Sequence, residues 1–165
     1  MEYLIRECLE DDLPVLVELC GKHAAFEQAT YHPAEKATLL KKAIFAERPK
    51  LFCYVIIANA KIQGYFSFTF DYSTWDAQSF LYLDCLYLEP PIRGKGIGEV
   101  VFEKLKAIAK QNDCVNIQWQ TPVFNQRAIK FYNKMGGIGK DKVRFFIDTK
   151  TDSPEGFQGE GGSLV

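Results

Sequence analysis

Residues 93–98 read Arg-Gly-Lys-Gly-Ile-Gly, three glycines alternating with larger side chains, between an alternating apolar run and a helical pattern. These residue types at this spacing suit anion binding. A chain turning through glycine can aim successive backbone N–H groups at one point, and a helix starting directly afterwards adds about half a positive charge there. Two common phosphate motifs fail on spacing. The dinucleotide fingerprint needs G-x-G-x-x-G, whereas Gly94, Gly96 and Gly98 stand at G-x-G-x-G, and no Lys-Ser or Lys-Thr pair follows to make a P-loop. Arg93, Gly96 and Gly98 instead satisfy R-x-x-G-x-G, which suits a diphosphate. Taken alone, the stretch fits a surface turn with an incidental arginine equally well.

Two further groups could move protons. In "NQRAIKFYNKMG" (125–136), Asn125, Ala128, Phe131, Tyr132 and Gly136 stand at N-x-x-A-x-x-F-Y-x-x-x-G. The Tyr132 phenol can donate a proton to a leaving group, although a Phe-Tyr pair on a helix also packs a core. In "SFLYLDCLYLE" (79–89), strict alternation puts Asp84 on one face with Phe80, Tyr82, Leu86 and Leu88. Its carboxylate is therefore expected to be poorly hydrated, which would raise its pKa and make it a better proton acceptor. The alternative is a structural carboxylate paired with an arginine or a strand-end amide. Cys85 beside it invites a covalent acyl-cysteine reading, but no histidine is near in pattern to activate it and alternation turns it to the opposite face.

The elements that must position these groups follow from periodicity. Strands are expected at 3–8, 51–58, 62–70, 79–89, 114–120 and 143–149, with Asn59, Ala60 and Lys61 closing a tight hairpin. Helices are expected after the acids at 11–12, at 33–48 before Pro49, at 98–111 and at 125–135. The order β-α-α-β-β-β-α-β-α-β gives an α+β fold, a mixed and mostly antiparallel sheet of about six strands flanked by about four helices. One domain is expected over 1–149. Residues 150–165 lose periodicity and gain Gly, Ser and acids, as a tail or arm does.

Composition limits the partners. With 20 basic and 21 acidic residues for a net charge of -1, no broad basic field exists to gather nucleic acid or an anionic membrane. No apolar run is long enough to span a bilayer, and the start "MEYLIREC" reads as a strand. The five cysteines are odd in number and lack C-x-x-C spacing, which points to a reducing, cytoplasmic setting. No metal site is expected, the two histidines being His23 and His32.

The two glycine- and tyrosine-bearing segments together resemble the cofactor-side motifs of the Gcn5-related N-acetyltransferase (GNAT) superfamily, over Tyr3 to about Thr149. "FSFTFDYSTWDAQSFLYLD" and "KHAAFEQ" are similar to the spermidine/spermine and thialysine acetyltransferase branch. That branch has Y-L-E-D where this chain has Leu83, Asp84 and Cys85 after Tyr82, so one carboxylate is shorter and its neighbour is neutral.

The resemblance implies direct attack of a primary amine on acetyl-CoA in a ternary complex. The diphosphate would lie on the N–H groups of Arg93, Gly94, Lys95, Gly96, Ile97 and Gly98. The pantetheine amides would pair with the backbone of Leu86, Tyr87 and Leu88, an arrangement akin to strand addition. Asn125, Arg127 and Ala128 would complete the cofactor side. Tyr132 takes the place of the general acid, and Leu86 N–H would meet the oxyanion. For the amine, Phe26, Glu27, Gln118, Trp119 and Gln120 would line the walls with Asp84. Asp71, Trp75 and Asp76 would form an acidic, aromatic mouth for a small cation such as a diamine or a lysine-like amino acid. A protein or peptide N-acetyltransferase and a noncatalytic acyl-CoA-binding module are the alternatives. Relatives of this type pair as dimers, so a homodimer is expected.

Overall fold

Phe52, Tyr54, Ile56 and Ala58 alternate with Cys53, Val55 and Ile57, and the two sets pack into two different cores on opposite faces of one sheet. Both faces of the sheet are therefore covered by helices. The computed structural model describes residues 2–147 and 149. In chain order the elements are β1 (Tyr3–Glu7), α1 (Leu13–Phe26), α2 (Lys36–Ile44), β2 (Phe52–Ala58), β3 (Lys61–Ser73), β4 (Gln78–Leu88), α3 (Ile97–Gln111), β5 (Ile117–Trp119) and α4 (Gln126–Lys134). Short 3-10 turns at Glu10–Asp12 and Pro90–Ile92 lead into α1 and into the glycine stretch. Strand order is β1-β2-β3-β4-β5, antiparallel except for the parallel β4–β5 pair that the α3 crossover joins.

One core lies between the sheet and α1 with α2, and includes Leu13, Leu16, Leu19, Val55, Tyr65 and Tyr87. The other lies beneath α3 and α4. There Ile97, Val101, Phe102, Leu105 and Ala109 present the buried stripe of α3 to Phe66, Phe68, Leu81 and Leu83. Each of these large side chains contributes roughly 1.5–3 kcal/mol by leaving water. The β2–β3 hairpin turns through Asn59 and Ala60, with φ of 52° and 58°, the left-handed pair that a two-residue hairpin loop demands.

The α+β class and the helix and strand order match the sequence expectation, with five strands and four α-helices among the described residues. The sixth strand is the exception. Residues 143–147 form no strand, and Val143, Phe145 and Ile147 are 78%, 86% and 90% exposed. Alternation there supplies apolar side chains, but a strand needs a partner, and none of the described residues provides one. The arm expected at 150–165 lies outside the described residues.

Candidate active site

The site begins with a fault in the β3–β4 ladder. Ser67 pairs with Cys85 and Phe68 with Leu83, so Asp84 is an extra residue on β4, a β-bulge. The bulge changes the phase of the strand. Leu81 and Leu83 face the α3–α4 core before it, whereas Leu86 and Leu88 face that core after it. The parallel ladder to β5 also ends here, with Leu83 opposite Trp119 as its last pair. Beyond that point β4 and β5 part, and the gap is a cleft of about 390 Å³. Trp119, in that last pair, packs its ring 5.1 Å from Phe102 and 5.3 Å from Tyr132.

The glycine stretch forms one end of the cleft. Ile92, 1% exposed, anchors the preceding turn, and Arg93 folds back so that Nε donates to the Leu88 carbonyl at 2.6 Å. Its guanidinium lies over the rings of Phe26 and Tyr87, at 5.1 and 5.3 Å. Gly96 is the N-cap of α3 with φ of 79°, and a Cβ built there would meet nothing within 4 Å. Gly98 is glycine for another reason: a Cβ would lie 2.9 Å from Cζ of Phe131. The first turn of a helix has N–H groups without intrahelical partners, and here that turn borders the cleft through Ile97 and Gly98. Open space over a left-handed glycine at a helix N-terminus fits a diphosphate.

Tyr132, Glu27 and His23 also border the cleft. Asn125 caps α4, its Oδ1 accepting from Ala128 N–H at 3.3 Å, and so sets the helix that presents Tyr132. Burial, and after it the charge of Glu27, push the Tyr132 phenol up to about 12. On α1, His23 Nε2 is 3.3 Å from Glu27 Oε1 and His23 Nδ1 is 3.1 Å from the Tyr65 hydroxyl. Lys22, bonded to Glu89 Oε1 at 2.6 Å, ties this end of α1 to the end of β4. Burial pushes the Cys85 thiol up to about 12, with Asp84 adding to it, so it is no ready nucleophile.

Most of the expected residues meet in this cleft. Of the residues expected to hold the amine, Phe26, Glu27, Asp84, Trp119 and Gln120 line it, as does Tyr132. Of those expected to hold the cofactor, Leu86, Tyr87, Leu88 and the turn from Arg93 to Gly98, with Asn125, Arg127 and Ala128, line it, Lys95 excepted. Lys95 is exposed and does not border the cleft.

Other expectations are corrected. Trp75 is 94% exposed at the β3–β4 turn, Asp76 is taken up by the Ser73 hydroxyl at 2.8 Å, and neither they nor Asp71 border the cleft. The reason is length: β4 starts at Gln78, and six residues of strand carry the hairpin tip about 20 Å from Asp84. Gln118 faces solvent, bonded to Asn116 at 3.1 Å, because alternation on β5 gives the cleft to Trp119. Asp84 is exposed instead of shielded among Phe80, Tyr82, Leu86 and Leu88, since the bulge breaks the alternation on which that expectation rested. His23 was passed over, although its place four residues before Glu27 on one helix was readable.

Residues 6–137 match the family model described as "Acetyltransferase (GNAT) family". Thialysine N-epsilon-acetyltransferase of Bos taurus is 28% identical over 141 residues, 81% of this chain and 82% of that protein. Spermidine/spermine N(1)-acetyltransferase-like protein 1 of Homo sapiens is 25% identical over 146 residues, covering 84% of this chain but 21% of that longer protein. Among solved structures, a possible acetyltransferase from Clostridium difficile 630 superposes with a TM-score of 0.75 at 21% identity, over 91% of this chain and 99% of that one.

Proposed function

The chain belongs to the GNAT acetyltransferase family, and from that premise we propose that it acetylates a primary amine of a small cationic substrate, a diamine or a lysine-like amino acid, by direct attack in a ternary complex. One observation carries this reading: the bulge at Asp84 opens β4 from β5 into a single cleft that Glu27, Tyr132 and the Arg93–Gly98 turn all border. The similarity to thialysine and spermidine/spermine acetyltransferases supports the substrate class.

Acetyl-CoA supplies a thioester carbonyl to the amine. Within the cleft, the N–H groups around Gly96 and the α3 N-terminus hold the diphosphate, with Arg127 beside it. The β4 backbone past the bulge, Leu86 to Leu88, lacks a β5 partner and receives the pantetheine amides. Leu86 N–H would meet a developing oxyanion. Tyr132, protonated throughout the physiological range, gives its proton to the departing sulfur. Asp84 and Glu27 provide the negative wall that draws and holds the ammonium, and Phe26, Trp119 and Gln120 shape its pocket.

The same reading includes a homodimer in the cytoplasm. The exposed Val143, Phe145 and Ile147 support association through that segment. Five free thiols support a reducing compartment. Among the described residues no helix is long and apolar enough to cross a membrane.

The test is thiol release from acetyl-CoA against a panel of short diamines, lysine-like amino acids and peptides. Fastest turnover with a free diamine or amino acid is expected. Turnover confined to peptides would make the protein a peptide acetyltransferase, and binding of CoA without release on any amine would leave a noncatalytic acyl-CoA-binding module.

A further inference from the structure

The geometry points to His23 as the group that takes the proton from the substrate ammonium, with Tyr65 fixing its tautomer and Glu27 balancing the charge it gains. This rests on the cleft being an amine acetyltransferase site.

An acceptor is needed because an alkylammonium of pKa about 10.4 is only about 0.04% neutral at pH 7. Asp84, at the bulge, is exposed. Among the described residues lining the cleft, His23 is the one imidazole, the side chain type that changes charge between about pH 5 and 8. Its side chain is 14% exposed, so it reaches the cleft while its far side is enclosed.

The enclosed side is Nδ1, 3.1 Å from the hydroxyl of Tyr65, a residue 2% exposed. The Cys85 thiol donates to Asp84 Oδ2 at 3.5 Å, and the Tyr65 hydroxyl sits near that sulfur and the sulfur of Cys20. That hydroxyl can therefore accept from Nδ1–H while its own proton goes to a sulfur. Nε2 is then left with a lone pair toward the cleft and Glu27. Glu27 Oε1, 3.3 Å from Nε2, is close enough to pair with that nitrogen once it gains a proton. The ring is held in place between Tyr65, edge-on at 6.1 Å, and Tyr87 at 5.4 Å.

Two carboxylates stand around the ring. Glu27 faces the ring from its own helix, and Asp84 borders the same cleft from β4. Glu89 accepts from the Tyr87 hydroxyl but is already paired with Lys22. Arg93, the nearby cation, lies over the outer rings of Phe26 and Tyr87 with Nε on the Leu88 carbonyl. From α4, Tyr132 faces Glu27 as a neutral phenol.

The proton inventory closes. One N–H bond of the ammonium breaks, its electron pair stays on nitrogen, and the proton goes to His23 Nε2, which then pairs with Glu27. That electron pair forms the new bond to the acetyl carbon, the C–S pair leaves on sulfur, and a second nitrogen proton reaches the sulfur by way of Tyr132. The proton on His23 passes to solvent as products leave.

The full-length protein is assayed with acetyl-CoA and the amine that the panel selects, from pH 5.5 to 10. His23→Gln and His23→Asn should lower kcat/KM at pH 7 by about 100- to 1,000-fold, abolish the acid-side limb assigned to the imidazole, and recover in part at high pH, where more amine is neutral. Affinity for CoA, read by calorimetry, should stay within about twofold and serves as the check on folding. Tyr65→Phe keeps the ring and removes the hydroxyl, and should cost about tenfold. As a readout free of turnover, the imidazole nitrogens of 15N-histidine-labelled apo protein should show the proton of neutral His23 on Nδ1. An active wild type whose profile survives His23→Gln, or a proton found on Nε2, overturns this assignment alone. A wild type inactive toward every amine overturns the acetyl-transfer reading and this assignment together.

Discussion

Glu27 on α1 and Tyr132 on α4 act on one another across the cleft: burial pushes the phenol up, and the charge of Glu27 adds to it, to about 12. A phenol in that state is protonated at any pH at which the protein would work. It can serve as an acid without being recharged by the medium. Tyr132→Phe should therefore cut kcat by about 100-fold or more while affinity for CoA is little changed. The fold should survive, because the ring that packs at 5.3 Å on Trp119 and 5.8 Å on Phe102 is retained. Glu27→Gln removes a nearby negative charge, so the phenol should titrate lower, toward the ordinary value of about 10. Ultraviolet difference titration of tyrosinate reads that shift, and an unmoved Tyr132 would break the link between the two residues.

Gly96 and Gly98 make separable predictions. Gly96→Ala places a side chain at φ of 79° with open space around it, so the cost is backbone strain of about 1–2 kcal/mol and not a collision. Relief of that strain would move the helix N-terminus, and affinity for CoA should fall about tenfold. Gly98→Ala instead drives a methyl against Phe131 at 2.9 Å, and the ring it displaces neighbours Tyr132, with centroids 5.5 Å apart. Its main loss should be in kcat. Calorimetry with CoA beside steady-state kinetics separates the two outcomes.

These contrasts show which parts of the site can be read from a sequence. The glycine turn and the helix start at Asn125 were legible because each is local, a matter of residues that lie within one turn of chain, although the side-chain cap that Asn125 makes on Ala128 was not among the expectations. The bulge at Asp84 was not, because it belongs to the pairing of β4 with Ser67 and Phe68 on β3, which alternation along one strand does not record. Trp75 was misplaced for a related reason, since local chemistry gave its type and only the length of the hairpin gave its position. His23 falls between the cases. Its spacing to Glu27 was readable, but its contact with Tyr65 joins residues 42 apart in the chain.

The entry to α1 makes a prediction about stability. Asp12 is 7% exposed and is held by Arg6 Nη2 at 2.9 Å and by the Leu9 N–H at 2.7 Å. The hydrogen bond from Arg6, chiefly, holds its pKa below the usual carboxylate value. A lowered folded-state pKa means that the contribution is present above the unfolded value of about 3.9 and is lost as pH falls through the folded one. Asp12→Ala should cost about 3 kcal/mol at pH 7 by urea denaturation, because it leaves Arg6 without its partner. The variant should also lose less stability than the wild type on acidification below about pH 4. Parallel acid profiles for the two proteins would show that the pair is not what links stability to pH here.

The last prediction concerns the segment after α4. Val143, Phe145 and Ile147 carry the alternation of a strand, yet they are exposed and unpaired with the described strands of their own chain. In a two-fold pair both copies would bury the segment, six such side chains at roughly 1.5–3 kcal/mol each, set against an association cost of about 4–15 kcal/mol. Phe145→Ser with Ile147→Ser should raise the dimer dissociation constant by at least about tenfold in sedimentation equilibrium. The cleft lies elsewhere, so CoA affinity per chain should not change with it. A wild type that sediments as a monomer at tens of micromolar, or a dimer indifferent to both serines, would remove this segment from the interface.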